Sequence, residues 1–207
     1  LLKKPLNRPR AKFPRKKRMD KTSSRLAASF RDPSGFIYFK DGRLLRQVNQ
    51  IYRENYDLLN SSGLYKKLVK AQKLVSHVEI ENEGEIPEIC YKVIQPEVID
   101  FISYPYEWSF SQLKDAALLT LDIQKEALKA GLSLKDASAY NIQFKGARAV
   151  LIDTLSFEKY EEGSPWVAYR QFCQHFLAPL VLMSRVDVRL SQLLRVHIDG
   201  IPLDLTA

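Results

Sequence analysis

The chain has 207 residues, is 45% hydrophobic and 27% charged, and contains only two cysteines. That is enough apolar material for one ordinary domain or two small units sharing a cleft, and too much for a wholly disordered chain. Cys90 and Cys173 exclude a disulfide-dense scaffold and a cysteine zinc cluster, and no apolar run reaches the roughly 18–20 residues that a membrane-spanning helix needs.

The net charge of +8 would ordinarily point to nucleic acid, but residues 1–25 hold eleven Lys and Arg against one acid, Asp20. That segment carries +10 and the other 182 residues carry −2. Its three prolines and lack of periodicity predict a basic disordered tail or leader, or translated sequence upstream of Met19. Without a charged-then-apolar leader, a reducing, cytoplasmic setting is expected. The two ends, Leu1 and Ala207, read as those of a piece of something longer.

Residues 36–39 and 44–48 are β-prone, and Asp41-Gly42 between them tolerates the positive φ of a tight hairpin turn. Helical spacing follows over 50–60 and 64–74, interrupted by Ser61-Ser62-Gly63. Short strands are expected at 75–80 and 88–93, and residues 98–102 read as a further strand or a hinge approach. Residues 104–108 form a connector. Ser109 with Gln112 three residues later is a capping box. It opens a helix to about Ala130 with Phe110, Leu113, Ala117, Leu121, Ala127 and Leu128 inward, stopped by Gly131. Residues 132–141 read as a loop. A second hairpin pairs 142–144 with 149–152. Gly163-Ser164-Pro165 starts another helix, kinked near Pro179 and resuming to about Val196. Phe172, Phe176 and Leu180 share a core-facing stripe. Cys173 and His175, two apart, fall on different helix faces, the cysteine in the core and the histidine partly exposed.

One constellation carries chemistry. A helix ends at Gly131, the following loop holds Asp136 and, five residues on, Asn141, and Asp153 closes the second strand of the hairpin. An acid on a loop accepts a proton from an attacking hydroxyl. An amide and a strand-end acid hold Mg²⁺ against nucleotide phosphates. The same residues also have bland readings as a turn residue, a cap and a surface acid.

In this order the chain resembles the protein kinase-like fold, including aminoglycoside and choline phosphotransferase relatives. Asp136-Ala-Ser-Ala-Tyr-Asn141 takes the place of the family's catalytic loop and Ile152-Asp153-Thr154 that of its metal-binding acid. The resemblance implies an α+β, two-lobed architecture. Residues 26–103 would form a small β-rich lobe, 104–207 a helical lobe with the catalytic-loop-like segment 132–155, and 104–108 the hinge. It implies ATP and Mg²⁺ as cofactors and an unidentified hydroxyl acceptor. Asp136 would be catalytic and Asn141 and Asp153 would be metal ligands. Arg46, with Glu54 as its helix partner, would stand in for the phosphate-contacting lysine. The chain departs from the family in lacking a His-Arg before Asp136, a glycine-rich loop and a Val-Ala-Ile-Lys strand; Arg is not interchangeable with Lys at such a site.

A second resemblance rests on residues 29–36 (SFRDPSGF), 46–49 (RQVN), 134–143 and 189–195 (RLSQLLR). These look like the N-terminal region of bacterial proteins related to NoeA-type nodulation proteins, which are similar to class I S-adenosylmethionine-dependent methyltransferases in their C-terminal half. It implies a front module of a longer enzyme, with S-adenosylmethionine used only in a part beyond this chain. The rival expectation is a non-catalytic scaffold that binds substrate for an attached methyltransferase. Nucleic-acid binding through the tail ranks last, because the rest of the chain is slightly acidic, and no membrane partner is expected.

Overall fold

The computed structural model describes residues 24–25, 32–81 and 83–206. The expected basic tail, apart from 24–25, lies outside them. The described chain is a mixed α/β structure in which a small antiparallel sheet precedes most of the helices. The sheet contains β1 (Ser24–Arg25), β2 (Gly35–Lys40), β3 (Arg43–Asn49), β4 (His77–Ile80) and β5 (Cys90–Pro96), in the spatial order β1-β2-β3-β5-β4. The β2–β3 hairpin turns at Asp41 and Gly42, with φ of 51° and 76°, as the Asp-Gly signal requires. Alternate residues Phe36, Tyr38, Leu45 and Val93 pack into one cluster on the sheet.

Helices α1 (Arg53–Ser61) and α2 (Leu64–Lys70) separate β3 from β4. They are held to β4 by an aromatic cluster. The Tyr65 hydroxyl accepts from the His77 N–H at 2.8 Å, their rings lie 4.5 Å apart, and Tyr56 Oη is 3.1 Å from His77 Nε2. Residues 98–102 form no strand. Instead the buried Gln143 accepts from the Ser103 N–H and donates to the Ser103 carbonyl, both at 3.0 Å. These two bonds satisfy the Ser103 backbone at the end of that stretch.

Helix α3 (Phe110–Lys129) starts at the Ser109–Gln112 capping box, with both reciprocal bonds made, and is followed by Gly131 at φ 72°. Its inward face differs from the leucine-based expectation. Leu121 and Leu128 are each 42% exposed, while Ala116, Thr120, Ile123 and Gln124 are buried. The face is turned by Gln124, whose side chain accepts from the Leu134 N–H at 2.7 Å and bonds Ser133. Those two residues belong to β6 (Leu132–Leu134), a strand inside the stretch expected to be loop; it pairs with β9 (Phe157–Lys159). The hairpin of β7 (Ile142–Lys145) and β8 (Arg148–Leu151) lies between them in sequence.

The last helical region begins later than Pro165 implies, at α4 (Tyr169–Phe172), because the Trp166 indole N–H is fastened to the Leu134 carbonyl at 2.7 Å. A π turn (Cys173–Leu177) then leads into α5 (Ala178–Arg185), with Pro179 near its start. Pro179 has no N–H to donate and its ring crowds the preceding turn, which the wider π geometry relieves. The π turn also corrects the expected placement of His175. Cys173 and His175 are both buried, His175 at 2% exposure. Helix α6 (Leu193–Val196) ends the helical set. Among the described residues, no helix is long and apolar enough to cross a membrane.

Burial lowers the His77 pKa from 6.5 to about 4. The folded chain therefore binds this proton less readily than the unfolded one. The cluster's contribution to stability is complete above pH 6.5 and is lost as pH falls towards about 4. Urea midpoints measured from pH 7.5 to 4.5 should fall less steeply in His77→Gln than in the parent protein.

Candidate functional site

The sheet and the segment that follows α3 meet at Arg46 and Asp153. Arg46 lies on β3, and its side chain is 9% exposed. Its Nη1 donates to Asp153 Oδ1 at 2.5 Å. The same carboxylate oxygen accepts from the Leu155 N–H at 2.8 Å, and the Ser156 N–H donates to the Asp153 carbonyl at 3.4 Å, which brings the Ser156 side chain beside the carboxylate. Burial alone would raise the Asp153 pKa. The Arg46 guanidinium, with the Leu155 N–H and the nearby Ser156 side chain, overcomes it and holds the carboxyl below its usual range.

Asn141 joins the group through Ser156, its Nδ2 donating to Ser156 Oγ at 3.4 Å. The Ile152 N–H also bonds the Asn141 carbonyl at 2.8 Å, so the residue before Asp153 is tied to Asn141 directly. Asn141 and Asp153 are thus neighbours, as the hairpin return requires. Asp136 is placed on the same loop but is used locally, its Oδ1 accepting from the Ser138 N–H at 2.9 Å. It also faces the buried His175, whose pKa is lowered by burial against the opposing pull of Asp136 and Asp199. Glu54 is not brought to Arg46. It lies exposed in the first turn of α1, and the partner of Arg46 is Asp153.

Several participants were not singled out in the sequence. Lys135 Nζ donates to Ser34 Oγ at 2.6 Å, lies 3.5 Å from Asp32, and sits 5.0 Å above the Tyr52 ring. Tyr52 is buried and donates to the Phe157 carbonyl at 2.5 Å. Burial pushes its phenol up, and Asp153 adds to the effect. Leu155 is fully buried and packs with Val48, Tyr52, Tyr56 and Ile94. It takes this place because Asp153, two residues before it, turns the backbone inward. A buried serine three residues after an acid, and a lysine immediately before another, carry no distinctive sequence signal.

The donor set suits a hard cation poorly as a closed cage and better as a partial one. Among the described residues, no three His, Cys, Asp or Glu side chains cluster to hold a metal. Asp153 and Asn141 offer a carboxylate and an amide oxygen, the kind of incomplete set that Mg²⁺ completes with water and phosphate. Arg46 Nε is buried without a hydrogen-bond partner, which leaves a cationic donor unspent beside them.

No family model matches the chain. The chain is similar to a nodulation protein. Over 184 residues, 86% of this chain, it is 37% identical to nodulation protein NoeA of Rhizobium meliloti (strain 1021). The NoeA likeness expected over the whole chain from four segments is matched over 86% of it. The chain spans 37% of that protein's length. Among solved structures, vaccinia related kinase 3 aligns over 63% of this chain and 46% of its own, with a TM-score of 0.39 and 11% identity, a distant likeness.

Leu155→Ala should cost about 2–5 kcal/mol, the range for emptying a fully buried leucine site. Chemical denaturation checks this. The variant tests whether Leu155 joins the sheet to the Asp153 segment by packing.

Proposed function

We propose that the chain is a two-lobed, kinase-like module that binds a nucleotide with Mg²⁺ and serves a methyltransferase part of a longer NoeA-like protein. The reading is carried by the linked set Arg46–Asp153–Ser156–Asn141, which joins a sheet cation to the two oxygen donors of the helix–loop–hairpin segment. In this reading Asn141 and Asp153 hold Mg²⁺, which would draw charge from the phosphates. Arg46 turns its guanidinium from Asp153 to phosphate. Asp136 orients or deprotonates an acceptor hydroxyl, for which its loop position leaves it accessible. S-adenosylmethionine would bind in the methyltransferase part, not here. The setting is cytoplasmic.

A second reading is favoured by two observations. Asp153 is already neutralised by Arg46, and Leu155 is packed beneath the sheet. A cleft closed in this way suits a non-catalytic scaffold that positions substrate for the methyltransferase.

The two readings separate in a thermal-shift titration. In the nucleotide-binding reading, ATP with Mg²⁺ at 100 times its dissociation constant adds about 2.7 kcal/mol and raises the melting temperature by several degrees. Asp153→Asn should abolish the metal-dependent part of that rise. No shift in the parent protein, or an equal shift in the variant, would favour the scaffold.

A further inference from the structure

With Arg46 committed to Asp153, a second cation, Lys135, stands over the Tyr52 ring. Lys135 precedes Asp136 and reaches across to the turn that begins β2. That turn is preformed. The Asp32 carboxylate accepts from the Ser34 N–H at 2.8 Å, the Asp32 carbonyl accepts from the Gly35 N–H at 3.3 Å, and the Asn49 side chain holds the Pro33 carbonyl. Gly35 cannot be replaced there without collision, since a Cβ would fall 2.1 Å from the Gln47 carbonyl oxygen. The Lys135 ammonium thus meets a rigid hydroxyl, a carboxylate at 3.5 Å and an aromatic face. Its carboxylate contact is long, and its own side chain is 25% exposed. A three-donor ammonium in this position has capacity left for an anion.

The second observation is Arg46 Nε, buried and unpartnered in the same cluster. Tyr52 links the two parts, with Lys135 over its ring and Leu155, two residues from Asp153, packed in its cluster. A cluster with an unspent guanidinium donor and a partly exposed ammonium is matched to an oxyanion with several acceptor oxygens.

We propose that Lys135, with the Ser34 hydroxyl, is a phosphoryl-binding position, and that Asp32 occupies the ammonium until a phosphate displaces it. This rests on the nucleotide-binding reading and extends it. The glycine-rich loop expected over the phosphates is missing from the sequence, and a lysine from the opposite segment supplies the clamp. Asp32 is then a competitor for the site.

The test is isothermal titration with pyrophosphate and, separately, with ATP–Mg²⁺, on the parent protein, Lys135→Met and Asp32→Asn. Lys135→Met should weaken pyrophosphate by about tenfold or more, the worth of a charge-assisted hydrogen bond. Asp32→Asn keeps an oxygen for the Ser34 N–H and removes the competing charge. It should tighten pyrophosphate by about threefold, the scale of a partly exposed ion pair. A purely structural Lys135 would not give opposite effects in the two variants. Equal affinity for both probes in parent and Lys135→Met would overturn the assignment while leaving the nucleotide reading intact. If the parent protein bound neither probe, both would fall. Circular dichroism on each variant separates lost binding from lost folding.

Discussion

Burying the Arg46 side chain on the sheet, at 9% exposure, takes a permanent charge out of water, which is costly unless a carboxylate lies beside it. Asp153 supplies that carboxylate from 107 residues further along the chain. The requirement reaches outward. To meet Arg46, Asp153 must close the β7–β8 hairpin on the sheet side, which drives Leu155 into the cluster of Val48, Tyr52, Tyr56 and Ile94. It also carries Ser156 to Asn141 and Phe157 into β9, where its carbonyl receives the Tyr52 hydroxyl. The Lys159 N–H, two residues further, donates to Asn55 on α1 at 2.9 Å. The attachment of the sheet to the segment after α3 is centred on this ion pair and the short stretch that delivers it, with the Lys135 contacts to Ser34 and Asp32 beside it.

The same pair is ambivalent chemically. An acid held ionised by an arginine is ready for a cation, but only if the arginine has somewhere else to go. Arg46 Nε has no partner in the present arrangement. Moving the guanidinium towards an oxyanion would satisfy that nitrogen and release the carboxylate in one exchange. The nucleotide-binding and scaffold readings differ on whether that exchange occurs.

Local signals made parts of the fold legible. Asp41-Gly42 dictated its hairpin because few residues tolerate two successive positive φ values, and Ser109 with Gln112 marked the start of α3 because both orphan donors can be satisfied within one turn. Features set by distant partners were not legible. The inward face of α3 was assigned by its leucines, yet Gln124 turns it, because the Leu134 backbone needs an acceptor. The β6–β9 pairing joins two three-residue strands separated by an entire hairpin, too short for periodicity to register. Ideal helical spacing makes His175 partly exposed, and the π turn before Pro179 buries it. In the candidate site, the neighbourhood of Asn141 and Asp153 was readable from the hairpin return. The partner of Arg46 was not, because Glu54 lay closer in sequence and nothing local distinguishes it from Asp153.

The most direct measurement is a double-mutant cycle on Arg46 and Asp153. It uses Arg46→Met, Asp153→Asn and the combined variant, with unfolding free energies from urea denaturation at pH 7. If this buried pair fixes the sheet to the rest of the chain, each single change leaves an unmatched group and the coupling energy reaches about 2–3 kcal/mol, the upper range for contacting residues. A coupling within about 0.5 kcal/mol of zero, as for independent sites, would contradict the account.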